Sequence, residues 1–137
     1  MRELQVTAAV ENIETVTDFV NDYLETLDCP MRIQMKIAIV IDEVFSNITY
    51  YAYEDGSGDV IVRIERTADS KGVLLTFIDN GKPYNPIEKE DPDITLTLDE
   101  RQIGGMGIFM VKNIADKIFY EYIQGQNILK IWKNFIE

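Results

Sequence analysis

The spacing of apolar residues predicts one strand and two long helices in the first part of the chain. Residues 3–9 alternate loosely between apolar and polar positions, which is typical of a strand. From Val10 to Leu27 the apolar residues recur at intervals of three and four, which predicts an amphipathic helix with its acidic residues outside. Pro30 disfavours a helical residue before it, and the helical spacing resumes over residues 31–53. The pattern therefore indicates two consecutive helices separated by a short break.

The rest of the chain predicts two hairpins separated by a long loop and a short helix. The predicted elements are a turn at residues 55–58, strands at 60–66 and 73–78, a loop at 79–104, a helix from 108 to about 117, and strands at 118–123 and 128–133. A loop of this length in a compact domain is usually functional or disordered. Two adjacent hairpins in the order β-α-α-β-β-loop-α-β-β predict the α+β class, a two-layer sandwich with a mostly antiparallel sheet and the helices on one face.

The length and the charge of the chain restrict its possible partners. The 137 residues are the size of one domain, and they show no internal repeat and no linker. Lys and Arg total 13 against 24 Asp and Glu, so the formal net charge is −11. Such a surface argues against nucleic-acid binding, which needs a basic stripe, and against docking on anionic membranes. We expect a single domain over residues 1–137 with neither kind of partner.

The absence of histidine and the single cysteine restrict the chemistry. Without histidine the chain can form no His-based catalytic triad, no His-ligated zinc site and no phosphohistidine. Cys29 is the one cysteine, and we expect it to be a small buried apolar residue. The chain starts without the apolar segment of a signal peptide, and its longest aliphatic run, residues 37–41, is too short to span a bilayer. These features predict a cytoplasmic protein.

The second predicted helix carries a carboxylate and a carboxamide one turn apart. Glu43 and Asn47 are four residues apart, so they lie on the same face, beside the apolar stripe. One interpretation is a solvated edge of the helix. In the functional interpretation, Glu43 accepts a proton and Asn47 offers its amide oxygen to a hard cation such as magnesium.

A second candidate site follows directly on an apolar strand. Asp79, Asn80 and Gly81 have the composition of a tight turn, which is one interpretation. In the other, Asp79 lies in a pocket at the end of the strand and accepts a hydrogen bond from an exocyclic amine. Gly81 then allows the backbone to pass close to a flat ring.

A glycine-rich segment, residues 104–107, precedes the third predicted helix. The start of a helix presents free N–H groups that attract phosphate, and glycines allow backbone donors to surround an anion. A flexible hinge is the alternative. The preceding loop carries Lys82, Lys89 and Arg101, of which Arg101 is nearest the glycines. One of them could neutralise a terminal phosphate, although each could equally be a solvated surface charge.

These segments, in this order, resemble the motifs of the GHKL ATPases, which include gyrase, heat-shock chaperones, histidine kinases and mismatch-repair proteins. Residues 41–53 resemble the N-box, with Tyr51 where the family often has histidine. Residues 79–86 resemble the first glycine box in the form used by anti-sigma factor serine/threonine kinases. Residues 104–108 resemble the second glycine box, and residues 127–133 suit the last strand of the family.

The resemblance implies a Bergerat-type, histidine-kinase-like ATPase fold. ATP and Mg²⁺ would bind between helices and sheet, under a lid at about residues 82–104. Glu43 would be the general base, Asn47 would ligate the magnesium ion, and Asp79 would hold the amine of adenine. The other nucleotide-binding residues implied are Gly81, Arg101, Gly104, Gly105, Met106, Gly107 and Ile108.

The activity implied by the resemblance is that of an ATP-dependent serine/threonine protein kinase. Such a kinase binds a sigma factor and phosphorylates the antagonist of the anti-sigma factor, a STAS-domain protein. The family resemblance also suggests a homodimer. One alternative is a non-catalytic ATP-binding module that acts by sequestering its partner, and another is a relic of the fold without a ligand.

Overall fold

A single antiparallel sheet of five strands is the frame of the protein. The computed structural model describes residues 1–53, 58–88 and 105–137, with only the backbone of residues 105 and 106. The strands are β1 (Arg2–Thr7), β2 (Asp59–Arg66), β3 (Gly72–Asp79), β4 (Lys117–Ile123) and β5 (Gln126–Asn134). Their spatial order is β1-β2-β3-β5-β4, and every neighbouring pair is antiparallel. The two predicted hairpins are therefore confirmed, and β3 and β5 lie side by side.

Three helices cover one face of this sheet in the described residues. They are α1 (Ile13–Thr26), α2 (Met31–Asn47) and α3 (Gly105–Ile114). The inward-facing residues of α1 and α2 pack on alternate residues of the strands, such as Val62, Leu75 and Ile131, which are all buried. Because successive strand residues point to opposite faces, these alternate positions define the inner side of the sheet. The predicted arrangement, with helices on one face, is confirmed.

Several predicted boundaries are wrong at the ends of elements. The first helix begins with a 3₁₀ turn at Val10–Asn12, and the second passes into a π-helical turn at Ile48–Ala52 instead of continuing regularly to residue 53. The third helix starts at Gly105 and ends at Ile114, before Asp116, whose N–H donates to Trp132 O at 2.9 Å. This bond turns the chain into the sheet, so the helix cannot reach residue 117.

Strand ends and loops also differ from the predictions. β1 stops at Thr7, because the N–H of Ala8 donates to Gly58 O at 2.8 Å. The loop predicted from residue 79 begins one residue later and contains a 3₁₀ turn at Pro86–Glu88. Most of the predicted turn at 55–58 and of the predicted lid at 82–104 lies outside the described residues.

Burial of Cys29 agrees with the predicted structural role of this residue. Its thiol is free and buried, and burial raises its pKa to about 11. A thiol with such a pKa carries little thiolate at neutral pH, so it is unreactive. Among the described residues, none of the helices has the length and apolar character that crossing a bilayer requires.

Candidate functional site

A cleft opens between the end of α2 and the inner face of the sheet. It encloses about 410 Å³, including its open mouth. The residues that line it are Val44, Asn47, Ile48, Ala52, Phe77, Asp79, Tyr84, Pro86, Ile108, Tyr120, Asn127 and Leu129. Three of the predicted site residues, Asn47, Asp79 and Ile108, therefore meet in one cavity although they come from a helix, a strand and a second helix.

Asp79 is the most deeply placed charged residue of the cleft. It is the last residue of β3 and alternates with Leu75 and Phe77 on the inner side, so the sheet directs its side chain into the cleft. Only 5% of the residue is exposed. Burial raises the pKa of this carboxyl above its usual value, and hydrogen bonds from Asn127 and Gly81 offset part of the increase.

The hydrogen bonds of Asp79 leave one carboxylate oxygen available. Its Oδ1 accepts from the backbone N–H of Gly81 at 2.9 Å and from Nδ2 of Asn127 at 2.9 Å. Both bonds use the same oxygen, so among the described residues Oδ2 is free to accept a donor from a ligand. A buried acceptor of this kind favours a ligand that brings an N–H group.

Gly81 lies against the π-helical turn that follows α2. A Cβ at this position would overlap Ala52 O and lie 2.6 Å from the carbonyl carbon of Ala52. The next residue, Lys82, donates its N–H to the same Ala52 oxygen at 2.9 Å. The segment bends tightly, as one interpretation predicts, and Asp79 lies in a pocket, as the other requires. Contact of Asp79 with an amine and of Gly81 with a flat ring stays a prediction. The close approach that requires glycine here is to Ala52.

Glu43 and Asn47 lie where α2 approaches the cleft and α3. Asn47 is half-buried and lines the cleft, so it is not a fully solvated edge of the helix. Glu43 lies one turn earlier, outside the lining residues, and its carboxylate packs against Gly107 of α3. A Cβ on Gly107 would overlap Oε2 of Glu43 and lie 2.9 Å from Cδ. Burial and the neighbouring Asp42 both raise the pKa of Glu43.

The first turn of α3 brings backbone N–H groups to this side of the molecule. The helix begins at Gly105, and Ile108 is buried and lines the cleft. The first N–H groups of a helix have no partner within it, so they can receive an anion. Gly105 and Met106 are described by their backbone alone, and Gly104, Arg101 and Lys89 lie outside the described residues.

Three polar residues of the cleft are absent from the predicted site residues: Asn127, Tyr120 and Tyr84. Asn127 is 5% exposed, and it alternates with Leu129 and Ile131 on the inner face of β5. A polar residue in phase with buried apolar residues was the signal that could have identified it. Tyr84 stacks on Tyr51 with 5.6 Å between the ring centroids, so this pair connects the loop after β3 to the turn after α2.

The described residues hold no group of three or more Cys, Asp or Glu side chains placed to bind a metal ion. Asn47, which carries one amide oxygen, lines the cleft. Magnesium prefers octahedral oxygen coordination and usually keeps several waters beside one or two protein ligands and substrate phosphates. The donor set therefore suits magnesium that arrives together with a phosphorylated ligand.

The sequence of this chain matches that of a known protein family over most of its length. The family described as "Histidine kinase-like ATPase domain" matches residues 6–133. The chain belongs to this family. The match confirms the resemblance predicted from the three motifs, and it agrees with the antiparallel sheet covered by helices on one face.

Several named relatives of this histidine kinase-like ATPase domain cover most of its length. The serine/threonine-protein kinase BtrW of Bordetella bronchiseptica is 25% identical over 73% of this chain and 70% of the relative. The anti-sigma F factor of Pasteuria penetrans is 23% identical over 90% of this chain and 83% of the relative. That of Anoxybacillus flavithermus is 28% identical over 84% of this chain and 78% of the relative.

Solved structures with the same fold belong to longer chains. The RsbU and RsbW domains of Rv1364c from Mycobacterium tuberculosis match with a TM-score of 0.61 and 16% identity. This match covers 98% of the present chain and 32% of the other. The Acinetobacter baumannii histidine kinase AdeS matches with a TM-score of 0.56 and 14% identity, over 100% of this chain and 70% of that one. These likenesses show the fold alone.

Proposed function

We propose that this protein is an ATP-dependent serine/threonine protein kinase of the anti-sigma factor type. It binds a sigma factor and transfers phosphate to the antagonist of the anti-sigma factor, a STAS-domain protein, in the cytoplasm. The relatives named anti-sigma F factor and serine/threonine-protein kinase support this branch of the family. A homodimer and a lid at about residues 82–104 remain predictions.

The observation that carries the proposal is the contact between Glu43 and Gly107. It sets a carboxylate from the N-box helix beside the first turn of α3. The free N–H groups of that turn attract phosphate, so a base and a phosphate-binding element are neighbours. Asn47, one turn from Glu43, and Asp79 line the same cleft. A protein that only bound nucleotide would have no need of Glu43.

The residues present fit ATP as a substrate. Asp79 offers a buried acceptor to the amine of adenine, and apolar residues such as Ile48 and Leu129 line the cleft for a flat ring. Asn47 would hold Mg²⁺, which neutralises the charge of the phosphates when bound. Glu43 takes the proton from the attacking serine or threonine hydroxyl, and general base catalysis of this kind contributes about 10²–10⁴ in rate. The other site residues orient the substrate and exclude water.

The proposal predicts that Mg-ATP binds the protein and labels a STAS-domain protein. At a concentration 100 times the dissociation constant, the ligand should add about 2.7 kcal/mol to the free energy of unfolding, which appears as a higher melting temperature. With radiolabelled ATP, the protein should then transfer label to serine or threonine in one of the STAS-domain proteins of the same organism. Each STAS-domain protein is tested singly, and Mg-GTP is the control nucleotide.

Two negative outcomes of this experiment have different meanings. Binding of ATP without labelling of any STAS-domain protein would instead support the non-catalytic module that sequesters its partner. An unchanged melting temperature with Mg-ATP would support the relic of the fold.

Substitution of Gly107 by alanine should separate stability from activity. Alanine at a helical position gains about 0.5–1 kcal/mol over glycine, so the melting temperature should stay equal or rise. The new Cβ would overlap Oε2 of Glu43, and this flexible side chain would have to move. Because a misplacement of about 1 Å can cost about 10²-fold in rate, transfer should fall while ATP binding persists. Thermal melting and phosphate transfer are the measurements.

The same substitution in a Glu43→Gln background is the control. There the base is already lost, so Gly107→Ala should cause no further loss of transfer. Full transfer by the single variant Gly107→Ala would contradict the assignment of Glu43.

A further inference from the structure

Asn127 is the centre of a buried hydrogen-bond network in the wall of the cleft. It lies on the inner face of β5, directly opposite Asp79 in the register of β3 and β5. Its side chain contacts both strands of this pair and the segment that follows β3. Buried polar groups need partners, and a network in which each member is satisfied holds its groups in one arrangement.

The partners of the Asn127 amide, which also include Gly81 O at 3.5 Å from Nδ2, fix its orientation. Its Oδ1 accepts from the backbone N–H of Tyr84 at 3.2 Å and from the hydroxyl of Tyr120. Its Nδ2 donates to Oδ1 of Asp79 at 2.9 Å and to Lys82 O at 2.8 Å. A backbone N–H can only donate and a carbonyl can only accept, so an inverted amide would lose bonds on both sides.

We propose that Asn127 is a positioning residue that holds the Asp79 carboxylate as a hydrogen-bond acceptor directed into the cleft, and that it thereby selects a purine with its amine at the 6-position. The inference rests on the proposed function. Asn127 and the Gly81 N–H together saturate Oδ1, which prevents rotation of the carboxylate and leaves Oδ2 for the ligand. Adenine offers an amine at this point, whereas guanine offers a carbonyl oxygen, which would face the carboxylate oxygen.

Asn127 also joins the loop after β3 to the sheet. Through Lys82 O and the Tyr84 N–H, the same amide fixes residues 82–84 at the side of the cleft. Tyr84 in turn stacks on Tyr51. The residue therefore positions both the acceptor and one wall of the cleft, and its loss should affect recognition of the base before it affects the distant Glu43.

The pH dependence of ATP binding through Asp79 is a measurement that would not change if the role of Asn127 were purely structural. Among the described residues, the charge of Asp79 acts on the phenols of Tyr53 and Tyr120. Asp59 also acts on Tyr53, Glu88 also acts on Tyr120, and Tyr84 lines the same cleft. Burial raises the pKa of Tyr53 and of Tyr120, so both phenols are neutral where a carboxyl titrates. The hydrogen bond from Asn127 lowers the pKa of Asp79 and so favours the ionised acceptor.

Replacing Asn127 by aspartate, which has the same shape, tests the proposal. The variant keeps an acceptor for Tyr84 and Tyr120 but turns the donor toward Asp79 into a second carboxylate oxygen. At neutral pH the affinity for ATP, measured by calorimetry, should fall by about 10- to 150-fold, the effect of one charge-assisted hydrogen bond. The preference for ATP over GTP should fall with it.

Acidification should have opposite effects on the two proteins. Two facing carboxylates share a proton readily, because one of their pKa values is strongly raised. At lower pH the carboxyl introduced at position 127 can therefore donate to Asp79, and the variant should recover affinity. The unaltered protein should lose affinity as Asp79 protonates. Asn113→Asp, the same change at an exposed residue of α3 that does not line the cleft, is the matched control and should retain the affinity of the unaltered protein at each pH.

Each outcome of this experiment decides for or against the proposal. ATP binding by Asn127→Asp equal to that of the unaltered protein at every pH would overturn it. If the aspartate variant does not fold, as judged by circular dichroism, Asn127→Leu should show the same loss of affinity without recovery in acid, and retained affinity would again overturn the proposal. Failure of the unaltered protein to bind ATP would instead contradict the proposed function.

Discussion

Glu43→Gln is expected to lower phosphate transfer to the protein substrate by about 10²–10⁴-fold while ATP affinity stays unchanged. Glutamine has the shape of glutamate but cannot accept the proton of the attacking hydroxyl. Glu43 is not among the residues that line the cleft, so its loss should leave the base-binding end intact. Transfer from radiolabelled ATP and calorimetry of ATP binding separate the two effects. Equal labelling by the variant would remove Glu43 from the role of base.

The pH dependence of transfer adds a second test of this assignment. Glu43 acts as a base only when ionised, so the rate should fall as the pH falls through its pKa. Burial and Asp42 raise this pKa above the ordinary value of 4.5, and the decline should therefore begin at a higher pH than for an exposed glutamate. Asp42→Asn removes one of the two causes, so its acid limb should move to lower pH with transfer otherwise retained. An acid limb that stays in place would show that Glu43 does not control the rate.

The periodic parts of the fold could be predicted because the physics behind them is local. Strand alternation and helical spacing both report which residues face the core, and the inner positions of β2 and the helical stripe of α2 follow the expected period. The π-helical turn at Ile48–Ala52 could not be predicted, because the apolar residues there suit a regular helix equally well.

The candidate site was predictable only in part for the same reason. Residue types and spacing made Glu43, Asn47 and Asp79 candidates, and the structure places Asn47 and Asp79 in the cleft. The contact between Glu43 and Gly107 depends on the packing of α2 against α3, for which the sequence carries no local signal. The place of Asn127 opposite Asp79 depends on the register of β3 and β5, for which the sequence carries no local signal.

Asp79→Asn is expected to weaken ATP binding by about 1.5–3 kcal/mol, which corresponds to about 10- to 150-fold in affinity. The loss of charge is one cause. The other is geometric: Oδ1 must go on accepting from Gly81 and Asn127, so the variant would place its Nδ2 where Oδ2 was. A donor would then face the amine of adenine, which is also a donor. Calorimetry with ATP measures the effect, and unchanged affinity would remove Asp79 from the binding site.

Stability measurements can show that this loss does not come from unfolding. Burial raises the pKa of Asp79 above its ordinary value of 3.8, so the folded state binds this proton more tightly than the unfolded state. The contribution of Asp79 to the free energy of unfolding is therefore lost as the pH rises from about its ordinary pKa through its raised pKa. The variant Asp79→Asn lacks this titrating proton. As the pH rises across that window, its free energy of unfolding should therefore increase relative to that of the unaltered protein. Above the window the difference should stay constant. A variant that is folded and at least as stable at neutral pH, yet binds ATP poorly, would locate the defect in recognition of the base.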